Sequence, residues 1–474
     1  MKSSSLSRTI GRPVAALVCA AWLASCSSVA SGPALAPATS VVARAPVATA
    51  QGDAPDAPRP LPCPVGLPDA TRCLAGRDSA GAPYLIAMPS AWNGVLVLHA
   101  HGGPNLGEPR LERSVDDLKR WAVVVKAGYA WAGSAFHQGG VAVRSAAEDM
   151  ERLRGLFLQH VARPRHTILH GQSWGASVAA KGAEMFTRTS EGKPPYDAVL
   201  LTSGVLGGGT HSYDFRLDLR VVYQYLCHNH PRLDEPPYPL WMGLPAGSAL
   251  TYDQLAERAR ECLGTEMPAA QRTAEQARRL KTVVDVIRIP ESSVLGHLAW
   301  ATFTFRDISE KRTGGANVFG NIGAVYRGSD NDEALNAGVL RYAADADAVR
   351  RFGEDTDPDG RIPVPVLTVH AANDPTAAVE LESRFRQTMT RAGMADHLVQ
   401  VYTGHAAHSY LADPIYPTLL EALLAWVDEG RKPTPAALAA RCEALRSTWP
   451  GDCRMRPDFQ PQALETRFVD RQQP

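Results

Sequence analysis

A serine between two closely spaced glycines is the strongest chemical signal in this 474-residue sequence. Ser173 lies in residues 171–175 (Gly-Gln-Ser-Trp-Gly), which follow the apolar run 167–170 and precede an alanine-rich stretch. A strand, a very tight turn and a helix with small residues on one face would push the serine hydroxyl out to where a substrate can reach it. The spacing therefore predicts a nucleophilic serine at the end of a buried strand.

A serine hydroxyl needs a base to take its proton and an acid to orient that base, and both should follow it in the chain. Asp374 follows the strand-like run 364–370, and we predict that it is the acid because the adjacent Asn373 cannot carry a charge. Two histidines, His405 and His408, follow the next strand-like run. The residues alone leave both histidines open as the base.

The elements that must position these side chains are short apolar strands separated by amphipathic helices. Such alternation is typical of a mostly parallel sheet that is covered by helices on both faces, and we predict this α/β fold class. The strand-like runs are residues 95–100, 129–136, 167–170, 198–205, 364–370 and 398–402.

The alternation stops for about 150 residues in the middle of the chain. Residues 206–361 contain many aromatic residues and helical fragments, and we predict a mainly helical lid inserted over the strand ends. The core is then built from two parts, residues 63–205 and 362–432. Residues 433–474 form a C-terminal extension.

The N-terminal segment has the composition of an export signal. Residues 1–26 combine basic residues, an apolar run and a final Leu-Ala-Ser-Cys, which resembles the lipobox of bacterial lipoproteins. The resemblance implies that Cys26 becomes the lipidated N-terminus and, with Ser27 after it, that the protein is anchored in the outer membrane, facing the periplasm or the surface. An ordinary secretory signal is the alternative. Residues 27–62, rich in Ala and Pro, are expected to be a disordered tether.

The cysteine count agrees with export. Six cysteines would remain after Cys26 is lipidated and the signal is removed, and an even number in an exported protein favours disulfides. A metal site at Cys227 is the alternative, because His228 and His230 follow it, but no second cluster with ligand spacing appears. We predict three sequence-local pairs: Cys63–Cys73, Cys227–Cys262 and Cys442–Cys453.

Charge and composition exclude several functional classes. Lys+Arg and Asp+Glu both number 49, so the chain has no net charge with which to attract nucleic acid. A hydrophobic fraction of 45% provides a sizeable core and argues against a disordered chain. Serine chemistry of the predicted kind needs no metal or organic cofactor, and we predict none.

The order of the motifs resembles that of the α/β-hydrolase superfamily. A strand followed by His101-Gly-Gly, the Ser173 turn, an insertion, Asp374 and a late histidine occur in that family's order over residues 80–430. The resemblance implies a serine hydrolase, and we predict a carboxylesterase that acts on a small-molecule ester through an acyl-enzyme intermediate.

The resemblance also implies residue roles. The backbone N–H groups of Gly103 and Trp174 would form the oxyanion hole, while Pro104 has no N–H and cannot contribute. The sequence His-Ser-Tyr at His408 resembles the pattern around the base in dienelactone-hydrolase-like relatives. We therefore favour His408 as the base and keep His405 as the alternative.

Two other functions remain open. His-Gly-Gly-Pro with Ser-Trp-Gly also resembles the proline-iminopeptidase branch, although Asn105 and Gln172 depart from that branch's pattern. Such a peptidase needs acidic residues for the substrate amine, and Asp214 and Asp218 in the lid are candidates. The third possibility is a non-catalytic lipoprotein that uses a hydrolase fold for binding, since fold alone does not imply function.

Overall fold

The computed structural model describes residues 57–469, so the predicted signal segment with Cys26 lies outside the described residues. The described chain forms one nine-stranded sheet. Its strands are β1 (Arg59–Leu61), β2 (Arg72–Arg77), β3 (Pro83–Met88), β4 (Val95–Ala100), β5 (Ala130–Ser134), β6 (His166–Gln172), β7 (Ala198–Thr202), β8 (Val366–Ala371) and β9 (Leu398–Thr403).

The strand order is β1-β2-β3-β5-β4-β6-β7-β8-β9. Strands β1 to β3 pair antiparallel, and β3 also pairs antiparallel with β5. All pairs from β5 through β4 to β9 are parallel. From β2 onwards this is the arrangement of the α/β-hydrolase fold, with β1 added at the edge, so the predicted fold class is confirmed.

Helices cover both faces of the sheet, and none of those in residues 57–469 is long and apolar enough to cross a membrane. The helices are α1 (Leu111–Arg120), α2 (Ala122–Lys126), α3 (Val143–His160), α4 (Trp174–Met185), α5 (Gly209–Ser212), α6 (Phe215–Cys227), α7 (Tyr252–Leu263), α8 (Ala274–Ile287), α9 (Val294–Asp307), α10 (Asp332–Gly338), α11 (Ala346–Thr356), α12 (Leu381–Arg391), α13 (Ile415–Glu429), α14 (Pro435–Leu445) and α15 (Leu464–Arg467).

The two faces of the sheet have separate apolar cores. Leu153 of α3 and Phe385 of α12 belong to one cluster, which continues into the lid. Leu118 of α1 and Leu419 of α13 belong to the other cluster. Strands β4 and β8 are buried along their whole length, which explains why they read as uninterrupted apolar runs in the sequence.

The tether was predicted to extend to residue 62, and this boundary is wrong. Residues Arg59–Leu61 form β1, in which Leu61 is opposite Cys73 of β2. Pro60 lies in the outermost strand of the sheet, where a residue without an N–H does not interrupt a central ladder. The Cys63–Cys73 disulfide fastens the same edge.

The insertion between β7 and β8 is helical, as the sequence predicts. It contains α5 to α11, and within its described residues β-pairing is limited to one isolated bridge between Asn229 and Arg232. The Cys227–Cys262 disulfide joins the ends of α6 and α7. That bond occupies the sulfur that a metal site at Cys227 would require.

The C-terminal extension packs on both the core and the lid. Its Cys442–Cys453 disulfide joins α14 to the segment that follows it, and Met455 pairs with Thr403 at the end of β9. Further on, the Phe468 ring stacks on Phe215 of α6 with 4.2 Å between the ring centroids. The last described residues therefore hold the lid helix that lies over the strand ends.

We expect the lid disulfide to contribute more stability than the disulfide at the sheet edge. Cys227 and Cys262 are separated by 35 residues, whereas Cys63 and Cys73 are separated by 10. In the chain-entropy model, replacing each pair by alanine lowers the free energy of unfolding by about 4 and about 3 kcal/mol, respectively. Denaturant unfolding of the two double variants measures both losses, and free thiols in the oxidised wild-type domain would contradict the pairing.

Candidate active site

Ser173 lies in a strained turn between β6 and α4. Its backbone has φ 57° and ψ −120°, a conformation that L-residues rarely adopt. The flanking glycines make the turn possible. A Cβ at Gly171 would lie 2.1 Å from the carbonyl oxygen of Gly175, and one at Gly175 would lie 2.1 Å from that of Ala100. Both positions therefore require glycine.

A continuous chain of short contacts runs from this serine to an acid. The Oγ atom of Ser173 lies 2.7 Å from Nε2 of His408, and Nδ1 of the same histidine lies 2.8 Å from Oδ2 of Asp374. The other carboxylate oxygen of Asp374 accepts hydrogen bonds from the backbone N–H groups of Thr376 and Ala377 at 2.8 and 3.0 Å. The acid is thereby held in one orientation.

The second candidate histidine has a different environment. Nδ1 of His405 lies 2.9 Å from the hydroxyl of Thr403, the last residue of β9, and His405 does not line the cavity at Ser173. The sequence left both histidines open, and the structure brings His408 rather than His405 to the serine.

A bond that sequence reasoning missed fixes the histidine loop. Ser409 has φ 78°, and its hydroxyl accepts a hydrogen bond from Nε2 of Gln172 at 2.6 Å. Gln172 directly precedes the candidate nucleophile, so the same turn that presents Ser173 also holds the residue after His408. The sequence offered one signal for this bond: the polar residue Gln172 directly precedes Ser173, at a position where the proline-iminopeptidase branch has glycine.

A buried histidine beneath the acid was also missed. In His370, on β8, Nδ1 lies 3.2 Å from Oε1 of Glu382, and Nε2 lies 3.0 Å from the Ala377 carbonyl and 3.4 Å from Oδ2 of Asp374. Both ring nitrogens face acceptors, so the imidazole carries two protons and a positive charge. Glu382 is further bonded by the Thr368 hydroxyl at 2.7 Å.

These contacts set the charge states below the serine. Burial alone would lower the pKa of His370, but its contacts with Asp374 and Glu382 outweigh burial and raise that pKa to about 10. Burial would raise the pKa of Asp374, whereas the hydrogen bonds from His370 and His408 lower it well below its usual range. Asp374 is therefore a carboxylate at neutral pH.

The predicted oxyanion-hole residues flank the serine. Gly103 follows β4 with φ 70°, and Trp174 is the first residue of α4, where a backbone N–H has no partner within the helix. The Arg113 side chain donates to the Gly102 carbonyl at 2.6 Å and so fixes the loop. His101 packs against Trp174, and burial lowers the pKa of His101 to about 3, which keeps it neutral.

These groups open into a cavity of about 340 Å³ that includes Ser173 and His408 among its lining residues. Three arginines line it together with the rings of two lid aromatics. No Asp or Glu from the described residues lines the same cavity. The three arginines are Arg113, Arg120 and Arg216, and the two lid aromatics are Tyr213 and Trp300.

The lid acids considered for a peptidase do not line this cavity. Asp214 caps the N-terminus of α6 by accepting a hydrogen bond from the Phe215 N–H, and it is buried. Asp218 accepts a hydrogen bond from the Tyr326 hydroxyl at 2.6 Å. The structure therefore does not bring either acid to the serine.

Comparisons with protein-family models and with curated proteins find no match. Solved structures that resemble the chain include an esterase from Aspergillus oryzae (14% identity, TM-score 0.39, covering 77% of this chain and 80% of that one). Others are feruloyl esterase B from the same organism (13%, 0.40, 80% and 88%) and a 2-hydroxy-6-oxo-6-phenylhexa-2,4-dienoate hydrolase from a Rhodococcus species (12%, 0.36, 74% and 99%). At such values the fold assignment rests on the strand order.

Replacing His370 by Gln should destabilise the protein in a pH-dependent way. The change leaves Glu382 and Asp374 buried without their shared cation, so we expect the free energy of unfolding to fall by about 3–5 kcal/mol. The pKa of His370 is raised from 6.5 to about 10 on folding. Its stabilising effect is therefore complete below pH 6.5 and disappears as pH rises through 10.

Denaturant unfolding of wild type and His370→Gln between these pH values measures the difference. His405→Gln is the matched control, because burial lowers the pKa of His405 and its pH dependence has the opposite sign. A loss in His370→Gln that grows with rising pH would contradict the assigned charge.

Proposed function

We propose that this chain is a serine hydrolase that cleaves carboxylic esters of small molecules through an acyl-enzyme intermediate. The observation that carries the proposal is the unbroken chain of contacts Ser173–His408–Asp374, with distances of 2.7 and 2.8 Å. A base within hydrogen-bond reach of a serine, itself oriented by a buried carboxylate, is the arrangement that activates a hydroxyl.

In the first half of the proposed reaction, the Ser173 oxygen attacks the ester carbonyl while His408 takes its proton. Asp374 holds the imidazole in the tautomer that presents Nε2 as the acceptor and stabilises the imidazolium that forms. Negative charge develops on the carbonyl oxygen, where the N–H groups of Gly103 and Trp174 receive it. Each such donor is typically worth about 3 kcal/mol in the transition state.

The tetrahedral intermediate then collapses: the bond between the carbonyl carbon and the alkoxide oxygen breaks, His408 gives this oxygen the proton, the alcohol departs and the acyl-serine remains. The second half of the reaction is the hydrolysis of this acyl-serine. A water then attacks the acyl carbonyl, with His408 again taking a proton. The acid is released, and Ser173 regains its hydrogen. The proposed cycle consumes one water for each ester and uses only side chains and backbone groups of this chain.

The charges around the serine favour esters over peptides with a free amine. A proline-iminopeptidase-type site needs carboxylates to bind the substrate ammonium group, and the cavity is lined by Arg113, Arg120 and Arg216 instead. Arginine side chains would repel that ammonium group. The non-catalytic alternative is disfavoured by the strained backbone kept at Ser173, because such strain persists at functional sites.

Ser173→Ala should abolish turnover of a short activated ester, lowering kcat/KM by roughly 10⁴-fold or more, because no nucleophile remains. His408→Ala should cause nearly the same loss, since the two residues act as one unit. The matched control is His405→Ala, which removes a histidine three positions away and should cost far less. Initial rates with para-nitrophenyl acetate, on variants with wild-type circular dichroism, measure all three.

The same assay separates the candidate functions. The wild-type protein should hydrolyse the ester and leave aminoacyl arylamides intact, whereas the reverse preference would favour the peptidase. An inactive His405→Ala beside an active His408→Ala would reject the choice of base. Equal rates for wild type and all variants would reject the serine mechanism.

We also propose that the protein is exported and anchored to the outer membrane through a lipid on Cys26. The support is the Leu-Ala-Ser-Cys sequence at the end of an apolar run, together with three disulfides in residues 57–469. The hydrolase domain would then act in the cell envelope, tethered rather than embedded.

Cys26→Ala should remove the site of lipidation. Expressed in a bacterium fed a radiolabelled palmitate precursor, the wild-type protein should take up label and sediment with membranes, whereas the variant should take up no label and be either unprocessed or soluble. Cys19→Ala, in the same segment, is the matched control and should behave as wild type. Label uptake and processing of Cys26→Ala equal to those of wild type would contradict lipidation at Cys26.

A further inference from the structure

Arg216 on the lid helix α6 is the most unusual charged residue at the cavity. It is 6% exposed, and its guanidinium carbon lies 4.3, 4.6 and 5.5 Å from the ring centroids of Trp300, Phe215 and Tyr213. These rings form a sleeve that holds the guanidinium by cation–π contacts and directs the residue to the cavity wall.

The hydrogen bonds of this guanidinium are incomplete. Nη1 donates to the Ser212 carbonyl at 3.0 Å, and Nε is buried without an acceptor. Among residues 57–469, no carboxylate oxygen lies within 4.0 Å of it, although the Asp214 carboxylate acts on it from further away. Burying a cation in this state costs free energy that the cation–π contacts only partly offset.

The other two arginines of the cavity differ in this respect. Nε of Arg113 lies 3.0 Å from Oδ2 of the buried Asp117, and Arg120 approaches Oδ1 of the same carboxylate at 4.0 Å. Two arginines thus share one acid, while Arg216 has none in contact. The cavity as a whole carries excess positive charge beside the serine.

We propose that the natural substrate is an ester that also bears a carboxylate, and that the Arg216 guanidinium binds this carboxylate. A carboxylate accepts strong charge-assisted hydrogen bonds from a guanidinium and would supply the counter-charge in contact that Arg216 lacks. This inference rests on the proposed esterase function, because it locates the carboxylate of an ester whose carbonyl lies at Ser173.

The aromatic sleeve defines the substrate further. The rings of Tyr213 and Trp300 line the same cavity as Arg216, with 4.4 Å between their centroids. Flat apolar walls beside a cation suit a carboxylate carried on an aryl or alkyl body rather than a small hydrated anion. Arg216 is then a binding residue that selects the substrate, while Ser173 and His408 perform the chemistry.

The test compares matched esters that differ by one carboxylate. The pairs are para-nitrophenyl hexanoate against the para-nitrophenyl monoester of adipate, and phenyl acetate against para-acetoxybenzoate, so the charge lies on the acyl side or the alcohol side. In one of the pairs, wild type should favour the acidic ester, in kcat/KM, by roughly 10- to 100-fold. Equal values within both pairs would overturn the proposal.

Arg216→Met keeps the length of the side chain and removes the charge, so it should abolish this preference. Arg216→Lys keeps a charge without the fork and should retain part of it. Arg327→Met is the matched control, because Arg327 is an exposed lid arginine that does not line this cavity, and it should keep the wild-type ratio. A ratio unchanged in Arg216→Met, or lowered equally in Arg327→Met, would contradict a local contact.

A binding measurement separates this inference from the esterase proposal and does not depend on turnover. Titration calorimetry of Ser173→Ala with benzoate and with benzamide should show benzoate binding at least about 10-fold more tightly, and Ser173→Ala/Arg216→Met should lose that difference. Benzoate selectivity in a protein that hydrolyses no ester would support the anion site and reject the esterase. Ester hydrolysis without benzoate selectivity would support the esterase and reject the anion site.

Discussion

The strained turn at Ser173 is the constraint on which the rest of the site depends. A side chain at Gly175 would collide with the carbonyl of Ala100 in β4, so the first turn of α4 lies directly against the end of the neighbouring strand. That contact needs β4 and β6 in parallel register, with Ala100 opposite Gly171. The φ of 57° at Ser173 is thus maintained by sheet pairing that has no role in chemistry. The register of β4 against β6 therefore determines the backbone conformation of Ser173.

The acid depends on the sheet in a similar way. His370, the residue before the end of β8, lies opposite Tyr402 of β9, and its ring carries the positive charge between Glu382 on α12 and Asp374 in the following loop. Two carboxylates and one imidazolium leave one net negative charge buried below His408. Removing His370 would leave both buried carboxylates without their shared counter-charge, so its positive charge stabilises both acids in this arrangement. The loop that carries Asp374 is consequently fixed by residues outside the line of proton transfer.

Local signals in the sequence predicted the parallel half of the sheet and the serine turn, because apolar runs and obligatory glycines are visible residue by residue. The antiparallel edge was missed, since β1 contains Pro60 and β2 reads Arg-Cys-Leu-Ala-Gly-Arg, which lacks a continuous apolar run. Contacts between distant segments could not be predicted in the same way. The contacts of Gln172 with Ser409 and of Arg216 with Trp300 join residues that are far apart in the sequence. They depend on how the last loop and the lid pack in the folded protein, which no local pattern encodes.

Opposite charges lie on the two sides of His408. The net negative charge of Asp374, His370 and Glu382 lies on the side of His408 away from the serine, whereas the cavity side is lined by arginines. In the proposed reaction, positive charge develops on His408 and negative charge on the carbonyl oxygen in the cavity. Both changes are favoured by the fixed charges nearest to them, because such preorganised charges need not reorient as the reaction proceeds. In the proposed reaction, the cavity arginines would therefore favour the anionic transition state as well as the carboxylate proposed to bind at Arg216.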